Sequence, residues 1–274
     1  MSALAQRVVT AVALLAVFLL LVFALPARGF ALMLMVILAL ASHEWAKLTG
    51  LAQRASAAYS VAAVVIACAL LFAPAAGFAD GWPLPLVAVV CGIATAFWAL
   101  CAPCWVVARW STRARWPMLL VGLLTLPALW FALVDMHAHS PLAMLGAMGL
   151  VWIADTAAYF SGRRFGRHKL APLVSPGKTW EGVAGALVAV AAYAGLLAVS
   201  RAATGSVVLM WIAVAVVLAA MSIVGDLYES WLKRGAGVKD SGALLPGHGG
   251  VLDRIDALLA AMPPAALAID AWLH

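Results

Sequence analysis

Apolar runs close to twenty residues long recur from one end of this chain to the other, and each can cross a hydrocarbon layer about 30 Å thick. Within such a layer every backbone N–H and C=O must find its partner inside the protein, so these runs read as helices. Nine spans follow, at about 8–25, 30–46, 57–73, 84–107, 117–134, 141–161, 181–200, 206–228 and 251–273, separated by Pro, Gly or charge clusters. Only 10% of the 274 residues are Asp, Glu, Lys or Arg, too few to cover a soluble domain of this size. The expected fold is therefore all-α, a polytopic integral membrane helical bundle of about nine transmembrane helices. It is one membrane domain over 1–274, with N-terminal helices in 1–140 and catalytic helices and loops in 141–274. The first run follows Arg7 as a signal peptide would, but it is long for one and Pro26-Ala27-Arg28 is a poor cleavage site, so it is kept as a helix. In the last run, Met262-Pro263-Pro264 is expected to kink or break the helix.

The net charge of +6 would suggest a nucleic-acid partner in a soluble protein, but its distribution marks membrane topology instead, and no nucleic acid is expected. With the N-terminus in the cytoplasm, fifteen of the seventeen Lys and Arg residues fall on inner segments or inner helix ends, leaving only Arg28 and Arg201 outside. Cys68, Cys91, Cys101 and Cys104 all lie in apolar stretches. The CxxC spacing of the last two lacks a second ligand pair, so they read as small membrane-helix residues. Trp82, Trp116 and Trp180, near span ends, read as interfacial belt residues.

Eleven acidic residues remain to be placed. Asp80, Asp135 and Asp270 fall on the outer side, where they are expected to be solvated caps or loop residues. The other eight lie at the inner side: Glu44, Asp155, Glu181, Asp226, Glu229, Asp240, Asp253 and Asp256. An ionisable group in a membrane helix costs at least about 2.5–3.5 kcal/mol on insertion scales, so it needs a partner or a purpose. Asp226 and Glu229 are i,i+3 near the end of the eighth span, and Asp253 and Asp256 are i,i+3 at the start of the ninth. Like charges on one helix face repel unless a cation lies between them. Carboxylates converging at one depth suit Mg²⁺, which takes oxygen ligands and keeps water and substrate phosphates in its shell.

Between the two pairs the chain reads SWLKRGAGVKDSGALLPGHGGVLDRID over 230–256. Lys233, Arg234 and Lys239 bring positive charge, His248 a hydrogen-bond donor, and Gly249 and Gly250 flexible backbone opening onto a helix N-terminus. Carboxylates for a metal beside bases for phosphates describe phosphoryl or nucleotidyl transfer.

This stretch resembles the signature of the phosphatidate cytidylyltransferases (CDP-diacylglycerol synthases), without departure from Ser230 to Asp256. The likeness extends upstream to Asp155-Thr-Ala-Ala-Tyr-Phe160, Ser175-Pro-Gly-Lys-Thr-Trp-Glu-Gly182 and Gly225-Asp226, so it covers about the C-terminal half. It implies a membrane enzyme that transfers the cytidylyl group of CTP to phosphatidic acid, giving CDP-diacylglycerol and pyrophosphate in phospholipid biosynthesis, with Mg²⁺ required. It implies a multi-pass protein of a bacterial-type inner (plasma) membrane, with its active site on the cytoplasmic side, and it admits a homodimer. By the same likeness Asp226, Glu229, Asp253 and Asp256 would hold the metal, with Asp240 adjacent. Lys239, His248, Gly249 and Gly250 would hold the triphosphate, with Lys233 and Arg234 as further bases. Ser175, Lys178 and Thr179 would form a second anion-binding segment, and Asp155 and Tyr159 would line the cavity.

Other motifs fail on inspection. Gly177-Lys178-Thr179 ends like a Walker A loop, but the glycine required five positions before Gly177 is Pro172. Ser42-His-Glu-Trp-Ala-Lys47 opens like HExxH but has Lys47 where the second His belongs, so His43-Glu44 reads as a capped interfacial helix end. His137 and His139 fall outside, away from every other candidate. Asp80-Gly81 is followed by Trp-Pro-Leu-Pro, which excludes the CDP-alcohol transferase core. Two readings stay open beside the first. One is an ion-coupled transporter, disfavoured because the acids gather at one face rather than at the midplane. The other is a CTP-dependent polyprenol kinase, which would attack the γ-phosphorus and release CDP.

Overall fold

The computed structural model describes residues 3–108, 115–244 and 249–273. Arg109, Arg113 and His248 lie outside the described residues. Among those described, nine long helices follow one another: α1 (Ala3–Ala24), α2 (Ala27–Leu48), α3 (Gln53–Phe72), α4 (Leu84–Ala108), α5 (Arg115–His139), α6 (Pro141–Phe165), α7 (Trp180–Ser200), α8 (Ser206–Gly235) and α9 (Leu252–Leu273). Eight of them, α2 to α9, are long and apolar enough to span a bilayer. The protein is a polytopic helical membrane protein. Large apolar side chains such as Val61, Val89, Leu120, Leu196 and Leu209 face outward, as a lipid solvent demands. An antiparallel hairpin, β1 (Lys169–Ala171) and β2 (Ser175–Thr179), joins α6 to α7 where the sequence suggested only a loop.

Local chemistry sets the helix starts. Ser140 caps α6 by accepting the Ala143 N–H at 3.2 Å, with Pro141 supplying the first helical φ. Thr179 does the same for α7, accepting the Gly182 N–H at 3.1 Å. Helix α5 is the most enclosed span and lies antiparallel to α2. Trp45 Nε1 donates to the Met118 carbonyl at one end and Trp130 Nε1 to the Ala31 carbonyl at the other. In α4 a π-helical turn, Phe97–Cys101, precedes Pro103 and turns the fully buried Trp98 inward against Tyr228.

Three expectations are corrected. Helix α9 is not broken at Pro263 and Pro264, because 257–262 and Ala265–Ala266 are buried and hold the segment helical where propensity alone would end it. Asp135 and Asp270 are not solvated caps but are almost wholly buried. Trp82 is not a belt residue: it is buried, stacks on Phe131 with ring centroids 4.0 Å apart, and donates Nε1 to the Leu70 carbonyl. Trp116 and Trp180 are exposed, as belt residues are. His137 is buried as well, stacked on Phe30 and bonded to the Val22 carbonyl at 2.8 Å.

Candidate active site

On α8, Asp226, Glu229, Ser230 and Lys233 follow i, i+3, i+4, i+7 spacing and so share one face near the helix end. Tyr228, one residue away on another face, is fully buried among Trp45, Phe97, Trp98, Trp105 and Trp231. This aromatic cluster clamps α8 to α2 and α4 directly beneath the acids. Helix α9 meets α8 at Gly225: a Cβ there would lie 2.5 Å from the Asp256 carbonyl oxygen. Only glycine lets the two helices come this close, and the approach sets Asp226 beside Asp256.

The carboxylates divide into two groups. In the first, Lys233 lies between Glu229 and Asp253, with Nζ 2.5 Å from a Glu229 oxygen and 2.6 Å from Asp253 Oδ1. Asp253 also accepts from the Ser241 N–H at 3.0 Å, the Ser241 hydroxyl at 3.0 Å and the Gly250 N–H at 2.8 Å. Its oxygens are thus occupied in fastening the loop that enters α9. Glu44 completes the fastening from α2: it accepts the Val251 N–H at 3.0 Å and the Leu252 N–H at 2.8 Å, and shares with Asp253 the one proton of the Ser241 hydroxyl, 2.9 Å away. A Cβ on Gly250 would overlap both Ser241 Oγ and the Glu44 carboxylate, so this packing leaves no space.

In the second group, Asp226 accepts a 3.3 Å bond from the Ser230 hydroxyl and pairs with Lys178 of β2 at 2.6 Å. Strand β2 touches α6, α7 and α8, which carries Lys178 to this point. Asp155 of α6 lies within electrostatic reach of Asp226 and Lys178, and Asp256 within reach of Asp226, Lys178 and Lys233. Three helices therefore contribute Asp155, Asp226 and Asp256 to the electrostatic surroundings of Lys178, with Asp226 in direct contact.

Comparison with known proteins decides the family. The model of the "Cytidylyltransferase family" matches residues 5–272. A phosphatidate cytidylyltransferase of Pseudomonas aeruginosa is 41% identical over 267 residues, 94% of either chain. Proteins of the same name from Haemophilus influenzae and Brucella suis are 50% identical over 133 residues and 42% identical over 160. The first covers 46% of this chain and 44% of its own length, the second 57% of each. The chain belongs to the cytidylyltransferase family.

The site of this cytidylyltransferase-family chain differs in several respects from what its sequence suggests. The expected metal quartet is split, with Glu229 and Asp253 committed to Lys233 while Asp226 and Asp256 stand together. The α9 N-terminus is not open to phosphate, since the N–H groups of Gly250, Val251 and Leu252 are taken by Asp253 and Glu44. The Gly250 N–H is thus engaged by Asp253, and Gly249, at φ +81°, turns the chain into that capped end. Thr179 is buried with its hydroxyl oxygen accepting the α7 cap bond. Lys239, Asp240 and Arg234 are exposed, with Arg234 tied to the carbonyls of Val174 and Val238. Ser175 is half-buried at the start of β2, and Tyr159 is exposed and accepts a 3.1 Å bond from Arg163. Glu44 and Ser241 are the two residues that sequence reasoning missed. A lone buried acid at an inner helix end was the available signal for Glu44; nothing in the sequence distinguished Ser241.

Proposed function

We infer that this protein transfers the cytidylyl group of CTP to phosphatidic acid, releasing pyrophosphate and leaving CDP-diacylglycerol in the membrane. The observation that carries this reading is the convergence of Asp155, Asp226 and Asp256 on Lys178 at one end of a lipid-embedded bundle. The names of the relatives agree with it. A lipid co-substrate is supported by the exposed Phe160, Phe165, Leu173 and Trp180, which surround the α6–β1–β2–α7 hairpin and offer acyl chains an apolar approach. The distribution of Lys and Arg supports a cytoplasmic position for this end, in a bacterial-type inner membrane.

Among the described residues, no three of the site's carboxylates bring oxygens within 4.8 Å of one another. Mg²⁺ commonly takes one or two carboxylates and completes its shell with water and substrate phosphates, so it does not need three of them in contact. Asp226 and Asp256 would hold it, with Asp155 alongside. Bound there, the ion would neutralise charge on the phosphates as pyrophosphate departs. The lipid phosphate oxygen forms the new bond to the α-phosphorus of CTP while the bond from that phosphorus to the bridging oxygen breaks. The nucleophile is already an anion, so no general base is required of the chain. Lys178 is placed to meet a phosphate oxygen once it leaves Asp226, and the exposed Lys239 meets the triphosphate from the aqueous side. Glu44, Asp253, Lys233 and Ser241 touch no substrate in this scheme; they position the loop that does.

The test is purified protein in detergent with phosphatidic acid, Mg²⁺ and CTP labelled at the α-phosphate. Label that enters the organic phase, and fails to do so once EDTA removes the metal, is the expected result. Label confined to water as CDP would instead identify a lipid kinase.

A further inference from the structure

The far end of the bundle holds a second polar cluster that cytidylyl transfer does not use. Asp270 lies seventeen residues beyond Asp253 on α9, about 26 Å away at 1.5 Å per residue. There Asp135 and His139 of α5 and Asp270 of α9 each bring a ligand atom within 4.8 Å of the other two. Among the described residues, no other three His, Cys, Asp or Glu side chains do so.

Two carboxylates this close, on different helices and nearly free of solvent, cannot both be ionised unless something positive lies between them. Asp135 is fully buried. Its Oδ1 accepts the Trp82 backbone N–H at 2.9 Å, its Oδ2 is buried with no N–H donor, and the group lies close enough to the Asp270 carboxyl for the two to share a proton when no cation is bound. The His139 ring lies beside that oxygen, with Nδ1 3.6 Å away. The same Nδ1 lies 2.9 Å from the Asp135 backbone carbonyl, which can only accept, so Nδ1 carries the proton and Nε2 of the neutral ring the lone pair. This bond from a ring nitrogen to a backbone carbonyl is the support that metal-binding histidines commonly receive. The loop before α4 closes over the ring: a Cβ on Gly81, at φ +122°, would lie 2.5 Å from His139 Cε1. The fully buried Cys91 thiol of α4 is within electrostatic reach of both carboxylates.

We propose that Asp135, His139 and Asp270 form a structural site for a divalent transition cation, of which Zn²⁺ is the type, tying α5 to α9 at the end of the bundle opposite the catalytic carboxylates. Two carboxylates and an imidazole suit such an ion, and its two charges neutralise both acids, so the pair is no longer a buried repulsion. The cation holds α9 at one end while Glu44 and Lys233 hold it at the other.

The experiment uses full-length, tag-free protein in detergent, stripped with chelator and dialysed against Zn²⁺ in excess Mg²⁺, with bound metal measured by mass spectrometry. Wild type and Asp226→Asn, altered only at the catalytic end, should each retain one equivalent of Zn²⁺. Asp270→Asn and His139→Ala should bind it at least about tenfold more weakly. His139 is partly exposed, so its truncation leaves no sealed cavity and keeps the test valid if Asp270→Asn does not fold. Zn²⁺ should raise the thermal midpoint of wild type but not of His139→Ala. Absence of Zn²⁺ from wild type would mean the carboxylates share a proton and would overturn the site. Retention undiminished in both variants would show adventitious binding elsewhere and overturn it equally.

Discussion

Replacing Glu44 by Gln tests whether a helix from the N-terminal half holds the catalytic loop in place. The change is nearly isosteric, so it alters hydrogen bonding and charge rather than packing. Glu44 Oε1 accepts the Val251 N–H, and Oε2 accepts both the Leu252 N–H and the Ser241 hydroxyl. The amide can keep an oxygen at the position serving two donors but must then turn its NH₂ toward the Val251 N–H, leaving a buried donor without an acceptor. That costs about 1–3 kcal/mol. Loss of the negative charge at the α9 N-terminus adds about 1 kcal/mol through the helix dipole. A total of about 2–4 kcal/mol multiplies the opening equilibrium of the first turn of α9 between roughly thirtyfold and a thousandfold. Hydrogen exchange read by mass spectrometry over 249–256 should therefore accelerate by that factor, while the packed segment 257–266 stays protected. Cytidylyl transfer should fall alongside, because Asp253 and Asp256 ride on the same turn. Unchanged exchange at Val251 and Leu252 would refute the reasoning. So would an equal acceleration along all of α9, since that would report global unfolding.

Asp226→Asn should lower cytidylyl transfer by about a hundredfold or more while shifting the thermal midpoint little, because Asp226 is half-exposed and its pair with Lys178 is partly screened. Near-normal turnover would remove Asp226 from the reaction. The two lysines should separate by readout. Lys178→Met should lose activity in a folded protein. Lys233→Met should destabilise the protein by about 3–5 kcal/mol, because Glu229 and Asp253 are left buried without their cation; equal thermal midpoints for the two variants would contradict the division. Gly225→Ala should push α8 off α9 at a cost of about 1–3 kcal/mol and depress activity with it, given the 2.5 Å approach to the Asp256 carbonyl; a variant with wild-type stability and turnover would show that the approach is not needed.

The helices were legible because apolar runs in lipid have few alternatives, and nine spans placed from hydropathy coincide with nine helices among the described residues. The inner cluster of acids was legible from i,i+3 spacing and intramembrane cost. Which acid faces which partner was not. Asp226 and Glu229 are separated by one helical turn, yet one meets a lysine 48 residues earlier in the chain and the other a lysine on its own helix. Glu44 was misread for the same reason: its donors lie some two hundred residues downstream, beyond any local pattern. Asp135 and Asp270 were assigned to solvent because they sit near span ends. Asp135 is bonded by the 77–82 loop folded over α5, Asp270 rides on α9 packed against α5, and hydropathy carries no record of either contact. The prolines of α9 misled in the opposite direction, since propensity predicts a break that dense packing on every side overrides.

On the proposed scheme, in which the metal arrives with the nucleotide, the division between two lysines gives the chain a buried covalent cation of its own. Ordering the 236–251 segment around a divalent ion that arrives with the nucleotide would make loop folding part of every turnover. Lys233 removes that requirement: it satisfies Glu229 and Asp253 from within the chain, and Asp253 in turn fixes Ser241 and Gly250. Ser241 and Gly250 are therefore fixed from within the chain, and the α9 N-terminus is filled by carboxylates rather than left to attract phosphate. Phosphate recognition then falls to side chains that can move, Lys178 and Lys239, and binding of the ion can be spent on the reacting phosphates alone. On this view Lys233 and Glu44 set the fraction of molecules with a formed loop, whereas Asp226, Asp256 and Lys178 set the rate within that fraction. Variants of the first kind should thus be partly rescued by lower temperature or by saturating CTP, and variants of the second kind by neither.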